Sequence, residues 1–272
     1  MLSPIKIGDH TLPNNAFLAP LSGITDKSFR TISARFGAGM VVSEMIASAA
    51  LTNGHKDMAR RLGRPEKLPH IVQLAGCEPH WLAEGAKIAE DAGADIIDIN
   101  MGCPSKRVTN GYAGSALMRV PDKAVEIIEA VVAATTRPVT LKMRLGWNDE
   151  NLNAPQLAKD AEACGVHMVT VHGRTRQQFY KGKARWAPIR EVVDAVKVPV
   201  VVNGDIVDLN AARDALAASG AQAVMIGRGA QGQPWLVGQV GDALAGRTPE
   251  AAPTGQARLA LSREHYAMMV DE

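Results

Sequence analysis

Arg137-Pro138-Val139-Thr140-Leu141-Lys142-Met143-Arg144 is a short aliphatic run entered through a proline and left through cations. The same junction recurs at Leu68-Pro69-His70-Ile71-Val72-Gln73 and at Val198-Pro199-Val200-Val201-Val202-Asn203. Other runs follow a glycine: Gly39-Met40-Val41-Val42-Ser43-Glu44, Gly93-Ala94-Asp95-Ile96-Ile97-Asp98-Ile99-Asn100, Gly165-Val166-His167-Met168-Val169-Thr170-Val171-His172 and Gly220-Ala221-Gln222-Ala223-Val224-Met225-Ile226. Glycine supplies the left-handed cap that ends a helix, and proline stops a helix before a strand begins. With the run near Ala16–Pro20 there are eight such segments, and Trp81–Ala89 and Ala124–Val132 between them have helical spacing. Strands apolar on both faces and alternating with helices indicate a parallel sheet. Eight units predict an α/β chain folded as a (β/α)8 TIM barrel. No G-x-G-x-x-G follows the first strand, which argues against an open dinucleotide-binding sheet.

Length and composition agree. The 272 residues accommodate one barrel of about 250, and 46% hydrophobic content is ample for its core. A formal net charge of +2 excludes no partner class by itself, so any electrostatic argument rests on local clustering. The three cysteines, Cys77, Cys103 and Cys164, make no disulfide framework and predict a reducing, cytoplasmic setting. The N-terminus does not read as a signal peptide, and no apolar run approaches the ~18 residues of a membrane span. The barrel is assigned to residues 1–246. Residues 247–272 read as a Pro/Gly-rich linker followed by the first helix, Gln256–Glu272, of an incomplete C-terminal helical domain. Leu259, Tyr266, Met269 and Val270 are expected along one face of that helix.

Chemistry in this fold sits at the C-terminal ends of the strands. Here those ends carry Pro20, Glu44, Gln73, Asn100, Lys142 with Arg144, His172, Asn203-Gly204-Asp205 and Gly227-Arg228-Gly229. Solvent at a strand end explains one or two polar positions, whereas convergence around a whole rim points to a site. The last two glycine turns suit a phosphate approached by backbone N–H groups, with Arg228 as a direct partner. Lys142, closing an apolar run, is either a Schiff-base nucleophile or a cation facing developing negative charge. Gln73 and Asn100 offer donor and acceptor to a heterocycle edge or to core hydrogen bonds. His172 can donate to an anion or a ring oxygen, and with no ligand-spaced partner it predicts no metal site. Cys103 is held between Gly102 and Pro104 in a rim loop. An ordinary thiol is mostly protonated at neutral pH, so it can serve as a general acid.

The segment Arg174–Trp186 holds five basic and three aromatic residues and no acid. Lys56, Arg60, Arg61, Arg64 and Lys67 after the second strand, with Lys106 and Arg107 after Cys103, are expected on the same barrel face. Such a rim suits a polyanion with bases available for stacking.

Seven motifs in one order resemble the tRNA-dihydrouridine synthases, most closely the bacterial B-type, from about Ile5 to Gly246. They are Ala19-Pro20-Leu21-Ser22-Gly23, Gln73-Leu74-Ala75-Gly76, Asn100-Met101-Gly102-Cys103-Pro104, Lys142-Met143-Arg144, His172-Gly173-Arg174-Thr175, Asn203-Gly204-Asp205-Ile206 and Gly227-Arg228-Gly229. The resemblance implies an FMN-dependent oxidoreductase that takes electrons from NADPH and reduces uridines in tRNA to 5,6-dihydrouridine. It implies that Pro20, Leu21 and Ser22 line FMN, that Gln73 and Lys142 hold its ring, and that His172 lies near it. Asn203, Gly204, Asp205, Gly227 and Arg228 would take the phosphate. Cys103 would protonate uracil C5 after hydride reaches C6, with Asn100, Arg144, Arg174, Arg176 and Tyr180 on the substrate. Leu21-Ser22 replace the more usual Met-Ala, and only the start of the family's C-terminal helical domain is present. No metal is implied, and a monomer is expected. Three rivals give less to these residues. A flavin reductase of free pyrimidines leaves the basic loop without a role, and a Schiff-base aldolase on Lys142 leaves Cys103 without one. A non-catalytic tRNA binder leaves Gln73, Cys103 and Lys142 unexplained.

Overall fold

Each aliphatic run forms a strand, and the helix before it ends where glycine or proline marks the stop. Gly220, for example, caps its helix at φ +69°. The computed structural model describes residues 2–65, 67–109 and 111–271, and the Arg107 side chain, counted above in the basic rim, lies outside what is described, as does Glu272. A hairpin of β1 (Lys6–Ile7) and β2 (His10–Thr11) precedes nine parallel segments. These are β3 (Ala16–Leu18), β4 (Met40–Val41), β5 (Ile46–Ala47), β6 (Ile71–Ala75), β7 (Ile96–Met101), β8 (Val139–Arg144), β9 (Met168–His172), β10 (Val200–Asn203) and β11 (Ala223–Ile226). The helices are α1 (Lys27–Arg35), α2 (Ser48–Thr52), α3 (Lys56–Arg60), α4 (Pro79–Asp91), α5 (Lys106–Thr109), α6 (Pro121–Ala134), α7 (Ala154–Ala163), α8 (Ile189–Ala195), α9 (Leu209–Ser219), α10 (Leu236–Leu244) and α11 (Gly255–Asp271).

The sheet runs β4-β3-β11-β10-β9-β8-β7-β6-β5. β4 pairs with β3, β5 pairs with β6, and Val42 bridges Ile71. The nine segments are therefore eight staves, one of them interrupted, and the fold is the expected (β/α)8 barrel. Residues two apart on a strand share a face. The outward set, such as Ile97, Ile99, Leu141 and Val171, packs under the helices. The inward set starts with Ile71, Ile96, Met168, Val201 and Ala223, closed from below by Ile5, Ile7 and Leu12. Continuing upward on the same period, the inward positions become Gln73, Asp98, Asn100, Thr140, Lys142 and Asn203, all buried. The apolar floor and polar upper layer follow from one periodicity.

One expectation is corrected. Arg64 does not join the mouth: it donates to Gly93 O and pairs with Asp95 at 2.8 Å, at the end of the barrel where β7 begins. The segment after β5 must cross from the upper rim to the lower one before β6 starts, and it carries Arg64 down with it. α11 forms as expected, but Leu259, Tyr266 and Val270 are all more than half exposed, and Met269 nearly so. The contacting face is instead polar and aromatic. Glu264 pairs with Arg35 at 2.7 Å, His265 meets Phe29 edge-on at 5.8 Å, and Arg258 lies 4.9 Å over Trp235. Among the described residues no helix is long and apolar enough to cross a membrane.

Candidate active site

The upper rim encloses a cavity of about 360 Å³. All the residues that the sequence assigns to cofactor, substrate or proton transfer line it except Arg176. Arg176 lies outside, with its guanidinium 4.9 Å over Trp147. Pro104 and Ile206 of the quoted motifs add apolar wall, together with Met45 and Val207, which the sequence reading did not single out.

Lys142 projects from β8 with its ammonium 3.2 Å from Asn203 Oδ1, and Asn203 is itself fixed by donating to Met225 O. Burial and the neighbouring Arg144 charge bring Lys142 down to about 8, while Asp98 pulls it back up. His172 is pushed well below the usual imidazole range by burial and by the charges of Lys142, Arg144, Arg174 and Arg228. Its Nε2 lies 3.2 Å from Arg174 Nη1, which can only donate, so Nε2 accepts and the ring proton is assigned to Nδ1.

Arg144 and Arg174 line the cavity, and each also spends two donors on carbonyls of the loop above it. Arg144 donates to Gly102 O (2.8 Å), Thr175 O (2.8 Å) and Phe179 O (2.7 Å). Arg174 donates to Lys181 O and Gly182 O and pairs with Asp205 at 2.6 Å. These two buried cations anchor the basic segment across the mouth. They leave Tyr180 half exposed, with Arg144 and Arg228 guanidinium carbons 5.6 and 5.9 Å from its ring. Trp186 donates to Gly204 O and so pins the loop rather than standing free for stacking. Asp205 also pairs with Arg228 at 3.0 Å. Burial raises the Asp205 carboxyl, but the Ala184 N–H and the two arginines outweigh it and hold the group below its ordinary value. At Gly204 (φ +116°) a Cβ would lie 2.8 Å from His172 Cδ2, so only glycine lets this turn pass the imidazole.

Cys103 sits half-buried in the rim loop after β7. Its N–H donates to Asn100 Oδ1 at 3.0 Å, and its carbonyl accepts from Ser115 N and Oγ. Asp98 and Thr140 lie one inward step beneath and were not selected from sequence. An acid at the second position before Asn100 in Ile96-Ile97-Asp98-Ile99-Asn100 was the available signal, since strand period places both on one face.

The residues fit FMN on an observation independent of resemblance. Lys142 has one hydrogen-bond acceptor among the described residues, so a buried ammonium keeps unspent donors inside the cavity it lines. Such a group calls for acceptor atoms of a ligand. Gln73 and Asn203 amides beside it suit a heterocycle edge, and Arg228 at the glycine turns suits an anionic tail.

Over residues 17–272 the chain matches the family described as dihydrouridine synthase (Dus). It is 53% identical over 258 residues to a probable tRNA-dihydrouridine synthase of Rhizobium leguminosarum bv. phaseoli, covering 95% of this chain and 79% of the relative. It is 46% identical to tRNA-dihydrouridine synthase B of Pseudomonas putida, covering 94% and 75%. Among solved structures, morphinone reductase in complex with tetrahydroNAD superposes with a TM-score of 0.61 at 16% identity, covering 94% of this chain and 93% of that one. That likeness concerns the fold.

Proposed function

The chain belongs to the dihydrouridine synthase family, and from that premise we propose that it reduces uridines in tRNA to 5,6-dihydrouridine with bound FMN and NADPH as electron donor. The observation that carries the reading is the convergence of Gln73, Asn100, Cys103 and Lys142 on one cavity roofed by a basic loop. In this reading Pro20, Leu21 and Ser22 line the cofactor, Gln73, Lys142 and His172 face its ring, and Asn203, Gly204, Asp205, Gly227 and Arg228 form the phosphate end. Asp205 acts there through Arg228, since a carboxylate and a phosphate repel each other. FMN, when bound, supplies the hydride that NADPH provides and that reaches uracil C6.

The chain's own residues do the rest. A uridine must leave the tRNA stack to reach the cavity, and the exposed Lys181 and Lys183 share a loop with the cavity-lining Tyr180, while the exposed Lys106 follows the cavity-lining Pro104 in sequence. Asn100 offers an amide to the uracil edge, and Arg144 keeps the roof loop in place while its Nη2 remains for the substrate. Arg174 and Arg176 act on the substrate through the loop they hold. Cys103 delivers the proton to C5 as general acid, and Lys142 stabilises negative charge that develops nearby. We read residues 247–272 as a linker and the first helix of a C-terminal helical unit, supported by the exposed Leu259, Tyr266 and Val270 on α11.

The test is the visible spectrum of the purified protein, followed by anaerobic NADPH and then tRNA lacking dihydrouridine. Flavin bands that bleach with NADPH and return with tRNA, with dihydrouridine formed, are expected. A protein that cannot be loaded with FMN overturns the cofactor assignment, and one that bleaches but turns over free uracil instead of tRNA overturns the substrate.

A further inference from the structure

Beneath the cavity four buried side chains form a single hydrogen-bonded file. Asp98 accepts from Thr140 Oγ1 at 2.6 Å through one oxygen and from Gln73 Nε2 at 2.7 Å through the other. Gln73 Oε1 accepts from Asn100 Nδ2 at 2.7 Å. Asn100 Oδ1 then accepts from the backbone N–H groups of Gly102 at 3.1 Å and Cys103 at 3.0 Å. None of the four side chains is more than 7% exposed. A carboxamide has nearly the same shape in its two orientations, so in a dry interior only its neighbours decide which end points where. Here the two ends of the file agree. A carboxylate can only accept, which turns Gln73 Nε2 toward it and Oε1 toward Asn100. The two backbone N–H groups can only donate, which calls for Asn100 Oδ1 at the far end.

We propose that Asp98 is a positioning residue: it fixes the polarity of the Gln73–Asn100 amide relay and thereby holds the Cys103 rim loop closed from beneath. Reversal of either amide would set Asn100 Nδ2 against two N–H groups and release the loop. Thr140 is the second element of the device, because its hydroxyl can donate or accept. With Asp98 it donates, and it can turn to accept if the residue opposite acquires a hydrogen. The relay's effect on uridine reduction rests on the proposed function above; its hold on the loop does not.

This arrangement makes a non-additive prediction from two isosteric changes. In Asp98→Asn, the new amide can keep its oxygen toward Gln73 and donate to a turned Thr140, so polarity survives. In Thr140→Val, the carboxylate still faces Gln73. With both changes the amide nitrogen introduced by Asp98→Asn has no acceptor except Gln73 Oε1, and reaching it reverses the relay. The measurement is amide hydrogen exchange at Gly102 and Cys103 in the full chain as purified. Each single variant is expected to stay within about threefold of the parent, and the double variant to exchange at least tenfold faster, with dihydrouridine formation per bound flavin falling at least as much. A double variant that exchanges like the parent overturns the proposal, even if tRNA reduction is confirmed. So does a single Asp98→Asn variant as fast as the double, since the carboxylate then acts by charge or packing alone. If the double variant fails to fold, the parent's side-chain amide protons serve. One slowly exchanging proton on each of Gln73 and Asn100 is expected, and free exchange of both protons on either residue overturns the relay. A chain that carries no flavin but shows this exchange pattern would remove the proposed activity and leave the relay standing.

Discussion

Cys103 lies in the rim loop after β7, between Gly102 and Pro104 and lining the cavity, and Asn100 Oδ1 fixes its backbone. Cys103→Ala leaves that backbone bond in place and removes only the sulfur. The variant is therefore expected to keep its flavin and its reduction by NADPH while dihydrouridine formation drops by about 10² or more, the usual share of a general acid. Single-turnover reoxidation by tRNA checks it, and a parent-like rate would take Cys103 out of the mechanism. Asp98 carries a second residue-scale consequence. Burial raises its carboxyl from 3.8 to about 6, against the lowering effect of Thr140, Gln73 and Lys142. Between those values the folded chain holds a proton that the unfolded chain has lost. The stability due to this group is thus present below about pH 4 and lost as pH rises to 6. Compared with Asp98→Asn, the parent is expected to lose stability across that window by roughly 1.4 kcal/mol per pH unit at most. Denaturant midpoints of both proteins at pH 4, 5 and 6 measure the difference, and a flat difference contradicts the assignment.

The same division between what a residue is and where it points runs through the elements. The helix stops and the period-2 runs were legible because each depends on local backbone chemistry alone: Gly220 in its left-handed cap, and proline ahead of β8 and β10. The break between β4 and β5 was not. There Ser43 Oγ accepts the Gln73 N–H and Glu44 Oε1 accepts the Gly23 N–H at 2.5 Å, so side chains take over from the ladder through contacts distant in sequence. The role of the segment after β9 was legible only in part, because composition gave its charge and left its anchors hidden. Arg144 and Arg174 read from sequence as substrate cations, and besides lining the cavity they bolt loop carbonyls in place, which composition does not reveal. Arg174→Met removes the bonds to Lys181 O and Gly182 O and strands Asp205 beside one exposed arginine. A cost of about 2–3 kcal/mol is expected, below the range for a fully buried pair because Asp205 is partly solvated. Limited proteolysis should cut the variant within residues 175–185 well before the parent, with the barrel helices still protected. Equal cutting of the two proteins would mean the loop is held by something other than Arg174.

For the whole molecule the question is which part would grip a polyanion. The net charge of +2 gives no general attraction, so the positive field has to be local. Residues 247–272 contribute three arginines, Arg247, Arg258 and Arg263, against Glu250, Glu264, Asp271 and Glu272, a balance of 3 − 4 = −1. No residue of α11 is buried, and its described charges include the Arg35–Glu264 pair that ties it to α1. The barrel rim is different: Lys181 and Lys183 are exposed, and no acid lies between Arg174 and Trp186. Phosphate contacts should therefore come from the roof loop, with α11 contributing shape rather than charge. Each phosphate neutralised adds about 0.7–0.9 to the slope of log affinity against log salt. Changing Lys181 and Lys183 together to alanine is expected to lower the tRNA-binding slope by about 1–2 and leave flavin content unchanged. Removing residues 247–272 is expected to weaken binding with the slope changed by less than about 1. The discriminating measurement is tRNA affinity between about 50 and 200 mM salt for both variants. A slope lost with the C-terminal helix and kept without the two lysines would move the electrostatic grip off the barrel, and with it the reason the basic loop lies over the Cys103 rim.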